Sequence, residues 1–126
     1  MTPDLAIAIV DDDALVRAGM SSLIRSLDLS ATTFASAEDF LAGNTHGFSC
    51  VISDVQMPGM SGLDLQRALQ VRDAGLPIIL MTAFPEARVR LQALDQGAAG
   101  FIEKPCDPDA LIVTLEAALA SGRRAR

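Results

Sequence analysis

Cysteine is scarce. The chain has two, Cys50 and Cys106, too few for a disulfide framework and without the spacing of a metal site. They read as unpaired thiols of a reducing cytosol. No basic-then-apolar leader opens the chain, and no apolar run is long enough to span a bilayer. The sequence therefore predicts a cytoplasmic protein that does not engage a membrane. Positive charge is also in short supply: ten Lys and Arg face sixteen Asp and Glu, a formal net charge of −6. A nucleic acid backbone requires a basic surface, so direct nucleic acid binding by this domain is not expected. There is no internal repeat, linker or low-complexity tract, and 126 residues suit one domain with one core.

What is present is an alternation of two periods. "LAIAIV" (5–10), "SATTF" (30–34), "CVISD" (50–54), "PIILM" (77–81) and "GFIE" (100–103) have strand length. Between them run helical stretches. Val16, Met20, Leu23, Ile24 and Leu27 share one face, with Asp13 placed as the N-cap. Ser36 caps "AEDFLAG", and Gly43 is a stop. A helix follows "MPGMSG" from about Ser61 to Arg72. The next has Pro85 in its first turn, Ala87, Leu91, Leu94 and Ala98 close to one face, and Gly97 near its end. Residues 107–120 form the last, with Leu111, Leu115, Ala118 and Leu119 inward. Strict β/α alternation implies a parallel sheet covered on both faces. The leading topology is the doubly wound five-stranded α/β sheet, flavodoxin-like (CheY-like), of order 2-1-3-4-5. Residues 1–121 are expected to be this domain. Residues 122–126, "GRRAR", are a basic tail, read as a frayed end or the start of a linker.

In such sheets ligands bind at the carboxyl ends of the strands. The first strand delivers Asp11, Asp12 and Asp13, the third Asp54, the fourth Thr82 and the fifth Lys104, followed by Pro105. The first turn has no glycine, which argues against a cradled nucleotide phosphate. A hard cation such as Mg²⁺ resolves the crowding of acids, since it prefers oxygen ligands and binds one or two carboxylates plus a phosphate. Asp12 and Asp54 could supply them. With no ion, mutual repulsion should raise at least one carboxyl pKa. Each residue also has a plainer reading: Asp13 as a cap, Thr82 bonded to backbone, Lys104 as a surface charge. A cis Lys104–Pro105 bond would aim the ammonium back over the acids.

The segments "IVDDD", "VISDVQMPGMSGLDL", "PIILMTA" and "GAAGFIEKP", in this order and spacing, resemble the receiver domains of two-component response regulators, from about Leu5 to Leu119. "MPGMSG" and "GAAGFIEKP" look most like the FixJ-type branch. The resemblance implies Asp54 as phosphoacceptor from a sensor histidine kinase or phosphotransfer protein. It implies Mg²⁺ held by Asp12 directly, Asp11 through a water, Asp54, and the main-chain carbonyl of Gln56. Lys104 and Thr82 would contact phosphoryl oxygens, and Thr82 and Phe101 would form the switch. Such a domain assists its own phosphorylation and dephosphorylation without being a turnover enzyme. A phosphorylation-dependent homodimer through the fourth helix and fifth strand is implied as well. Glu86, Arg88, Arg90 and Asp95 could pair across it, or simply form a solvated face. Phe101 stands where a tyrosine is frequent, and Phe84, near the phosphoryl position, predicts slow self-dephosphorylation. The competing readings are a stand-alone phosphorelay regulator and a Mg²⁺-dependent phosphohydrolase; the latter lacks its second acid, because position 56 is Gln.

Overall fold

The protein is described by a computed structural model covering residues 5–121; the 122–126 tail lies outside the described residues. Five strands, β1 (Ala6–Val10), β2 (Ser30–Phe34), β3 (Cys50–Asp54), β4 (Ile78–Thr82) and β5 (Gly100–Glu103), form one sheet of order β2-β1-β3-β4-β5. Every pairing is parallel. The connecting helices are α1 (Ala14–Ser26), α2 (Ala37–Leu41), α3 (Gly62–Arg72), α4 (Ala87–Asp95) and α5 (Pro108–Ser121), with a 3-10 turn at Thr45–Gly47 that the sequence did not signal. The fold is the expected doubly wound one.

Strand side chains point alternately to opposite faces, and both faces are covered. Ala8, Val10, Val51, Ile78 and Leu80 pack with Phe40, Leu65, Leu69 and Ala93 from α2, α3 and α4. Ile7, Ile9, Ile52, Ile79 and Met81 pack with Met20, Ile24, Leu111, Leu115 and Ala118 from α1 and α5. Double coverage is why β1, β3 and β4 read as continuous apolar runs. The edge strand β2 differs: Ser30, Thr32 and Thr33 are exposed.

The helix starts obey capping chemistry. The Asp13 carboxylate accepts the Leu15 and Val16 N–H groups at 2.9 and 3.4 Å, and Ser36 Oγ accepts from Asp39 N–H at 3.0 Å. Ser61 and Asp64 form a reciprocal capping box. α3 begins with a glycine for a steric reason. A Cβ on Gly62 would collide with the Asp54 carbonyl and lie 2.9 Å from Leu80 Cδ2 and 3.0 Å from Val55 Cα. This close approach sets the start of α3 against the end of β3.

Two expectations fail at the fourth helix. Pro85 lies before the N-cap Glu86, outside the first turn. The inward face is carried by Ala93, with Val89 and Ala98 partly buried. Ala87, Leu91 and Leu94 are exposed, Leu91 to 65%. In a nine-residue helix several apolar stripes fit a helical period, and the β4–α4 loop decides which one meets the sheet. α4 is held by other means as well: Gln66 Nε2 donates to the Ala93 carbonyl at 2.9 Å, and Gln70 Nε2 donates to the Gln96 carbonyl. Two glutamines of α3 thus reach carbonyls at the end of α4, the Ala93 carbonyl also accepting from the Ala98 N–H at 3.0 Å.

Candidate functional site

The carboxyl ends of β1 and β3 are adjacent, because those strands pair in the middle of the sheet. This brings Asp11, Asp12 and Asp54 together, with one carboxylate oxygen from each lying within 4.8 Å of the others. Asp11 is 3% exposed and Asp54 7%, whereas Asp12 is open to solvent. The donors are all hard oxygens and one acid faces water, which suits a hard divalent cation that retains part of its hydration shell.

Lys104 reaches this cluster from beyond β5. Its Nζ donates to Asp11 Oδ2 at 2.8 Å and lies 3.3 Å from Asp54 Oδ2. The Lys104–Pro105 peptide is cis. The Lys104 backbone N–H donates to the Thr82 carbonyl at 2.8 Å, which fixes the end of β5 against the end of β4.

Burial pushes the Asp54 carboxyl above its ordinary range. The Lys104 ammonium draws it back down, Asp11 pushes it up again, and the Gln56 N–H stabilises the charged form. The expected rise is therefore present, but desolvation leads and repulsion between acids is secondary. For Lys104, burial favours the neutral amine, and the hydrogen bond and charge of Asp11, with those of Asp54, outweigh it; the net direction is upward.

Thr82, fully buried at the end of β4, does not bond to the acids. Its hydroxyl donates to Gln56 Oε1 at 2.8 Å and accepts from the Phe84 N–H at 3.0 Å. Phe101 lies apart from the acid cluster, half-buried on β5 against the α2–α3–α4 side of the core. Phe84 is 68% exposed. Glu86, Arg88, Arg90 and Asp95 are exposed and make no ion pair among the described residues.

Two participants escaped sequence reasoning. Arg17 Nη1 donates to the Asp11 carbonyl at 2.7 Å; its only signal is its position one turn into α1, four residues after the cap. The Gln56 side chain holds Thr82, a contact the sequence did not signal: it marked position 56 for its main-chain carbonyl and for its lack of an acid. Both cysteines are free, and burial raises the Cys50 thiol to about 12, leaving it inert.

A sheet that gathers buried acids and one ammonium at its central carboxyl edge, with a hydroxyl beside them, defines a doubly wound α/β phosphoacceptor domain. The match to known proteins is more specific. Residues 7–116 fit the family model described as "Response regulator receiver domain", and the chain belongs to that family. It is 43% identical over 118 residues to the transcriptional regulatory protein TdiR of Thauera aromatica, covering 91% of this chain and 51% of that one. It is 39% identical over 120 residues to the transcriptional regulatory protein FixJ of Azorhizobium caulinodans, covering 94% and 57%. The chain thus spans about half the length of these curated relatives. Among solved structures, the response regulator StyR superposes with TM-score 0.87 at 34% identity, covering 95% of this chain and 61% of that one. FixJ-N superposes with TM-score 0.87 at 29% identity, covering 98% and 100%. Among the described residues, no helix is long and apolar enough to cross a membrane.

Proposed function

We propose that Asp54 accepts a phosphoryl group from a phosphohistidine of a partner sensor histidine kinase or phosphotransfer protein. The observation that carries this reading is the convergence of Asp54 with Asp11, Asp12 and the Lys104 ammonium. An Asp54 carboxylate oxygen attacks phosphorus as the P–N bond breaks, and the departing electron pair stays on the imidazole. Attack by an anion on an anionic group is opposed electrostatically, so the site must supply positive charge in the transition state. Lys104 supplies one such charge. Mg²⁺, when bound, would supply the rest; Asp12 and Asp54 would hold it directly, Asp11 through a water, and the Gln56 carbonyl would complete the protein's share. Thr82 would turn from Gln56 to a phosphoryl oxygen, and Phe101 would follow it inward. The exposed Leu91 and Leu94 on α4, beside β5, would then serve a phosphorylation-dependent homodimer.

Residues 1–121 would be the receiver body and 122–126 the start of a linker. The output would be transcriptional and carried by a DNA-binding region outside these 126 residues, as the regulators matched at half their length suggest. Incubation with acetyl phosphate and Mg²⁺, followed by intact-mass measurement, should show one added phosphoryl group. Asp54→Asn should show none, and no gain in the parent would overturn the proposal. Phe84, two residues after Thr82 and bonded to it through the backbone N–H, would hinder attacking water and slow the loss of that group. A Phe84→Ala variant should release phosphate faster; an unchanged rate would refute this point.

A further inference from the structure

Thr82 is a fully buried hydroxyl at the end of β4, and its hydrogen bonds go to Gln56 and Phe84 rather than to the acids. It donates to Gln56 Oε1 at 2.8 Å and accepts from Phe84 N–H at 3.0 Å. Gln56 belongs to the loop after β3, two residues beyond Asp54, and Phe84 belongs to the loop that leads to α4. The bond chain Gln56–Thr82–Phe84 therefore joins the loop of the phosphoacceptor to the entrance of the most exposed helix. A threonine hydroxyl has one proton to donate. While Gln56 accepts it, no phosphoryl oxygen can.

We propose that the Gln56 side chain is a positioning residue: a latch that holds Thr82 in the unphosphorylated arrangement and sets how readily the switch is thrown. This rests on the reading that Thr82 serves the phosphoryl group. The latch has two consequences. Phosphorylation must break the Gln56–Thr82 bond before it gains the new one, so Gln56 tunes the resting population of the two states. When Thr82 turns, the Phe84 N–H loses its acceptor, and the β4–α4 loop is released in the same movement. Gln56 is itself solvent-exposed, so the latch is worth no more than one ordinary hydrogen bond, about fivefold in population.

The test compares the parent with Gln56→Met, which keeps length and removes the acceptor, each with and without Thr82→Val. Phosphoryl uptake from acetyl phosphate with Mg²⁺ is timed by intact mass, and the Phe84 amide is followed by ¹H–¹⁵N NMR with and without beryllofluoride. Gln56→Met should take up phosphoryl about fivefold faster than the parent. Its resting Phe84 amide signal should move toward the beryllofluoride-bound position. In the Thr82→Val background, Gln56→Met should change nothing. An equal acceleration in that background would show that residue 56 acts on the acids or on water, and would overturn the latch. So would a Phe84 signal that does not move. Gln56→Ala repeats the comparison should the Met variant fail to fold. A parent that accepts no phosphoryl group would instead refute the receiver chemistry itself, which separates the two failures.

Discussion

α4 and α5 each follow a strand that leads to the acid edge, β4 ending in Thr82 and β5 running into Lys104, yet the two helices are built on opposite terms. α5 drives Leu111, Leu115 and Ala118 into the core and starts with Pro108 in its first turn, Asp107 accepting from the Asp109 N–H at 3.3 Å. α4 commits Ala93 alone to full burial, has no side-chain cap at Glu86, and leaves Leu91 and Leu94 in solvent. The difference separates two tasks. The helix beyond the ammonium is scaffold, and keeps Lys104 over the acids. The helix beyond the hydroxyl is attached lightly, as the proposed turning of Thr82 would require.

The contrast can be broken first by core truncation. Leu115→Ala should cost about 2–5 kcal/mol in denaturant unfolding, whereas Leu91→Ala should stay within about 0.5 kcal/mol. Similar costs at the two positions would show that α4 is structural after all. A smaller effect is expected from Gln66→Ala, which removes the side-chain donor from the Ala93 carbonyl and leaves it the Ala98 N–H alone. The loss should be about 1–2 kcal/mol, and hydrogen exchange should quicken in the last turn of α4 while α5 amides keep their rates. Acceleration in both helices would mean that they open as one unit.

Acidity sharpens the comparison by acting on the shared site. Asp54 titrates higher in the folded state than in the unfolded chain, where a carboxyl titrates near 3.9. Between those two values the native state binds the extra proton, so stability falls as pH rises through the window. Its contribution is fully present below the unfolded value and lost above the folded one. Asp54→Asn should remove this downward slope from a plot of unfolding free energy against pH. Lys104, also raised, contributes stability up to the ordinary lysine range and loses it as pH climbs through its folded value. Mg²⁺ should oppose the Asp54 penalty, raising Tm in the parent at neutral pH, and chelation should return Tm to its starting value. The rise should be smaller in Asp54→Asn. An equal rise in both would place the ion elsewhere.

Most of the fold was legible because it rests on local chemistry. Runs such as "CVISD" and "PIILM", alternating with helical stretches, pointed to doubly covered strands, and Asp13, Ser36 and Ser61 stood where helix starts belong. The acids and Lys104 were legible because a parallel sheet returns every strand end to the same edge. Three features were not. The inward stripe of α4 is chosen by the loop before it. The Thr45–Gly47 turn is pinned from a distance, through Thr45 Oγ1 donating to Asp73 Oδ2 at 3.0 Å. The direction of the Thr82 hydroxyl depends on a side chain of a neighbouring loop, 26 residues away in sequence. Sequence pattern reports which residues reach an edge, not which neighbour each will choose there.

The glutamine bonds at the end of α4 give the helix the mechanics of a beam clamped at one end. At a rise of about 1.5 Å per residue, the clamp at Ala93 stands about 10 Å from the helix start at Glu86. A small tilt about Ala93 and Gln96 therefore becomes a larger sweep at Glu86, while the sheet beneath stays still. Such a tilt would spare the core the cost of repacking and would deliver its displacement to the surface where Leu91 is already exposed.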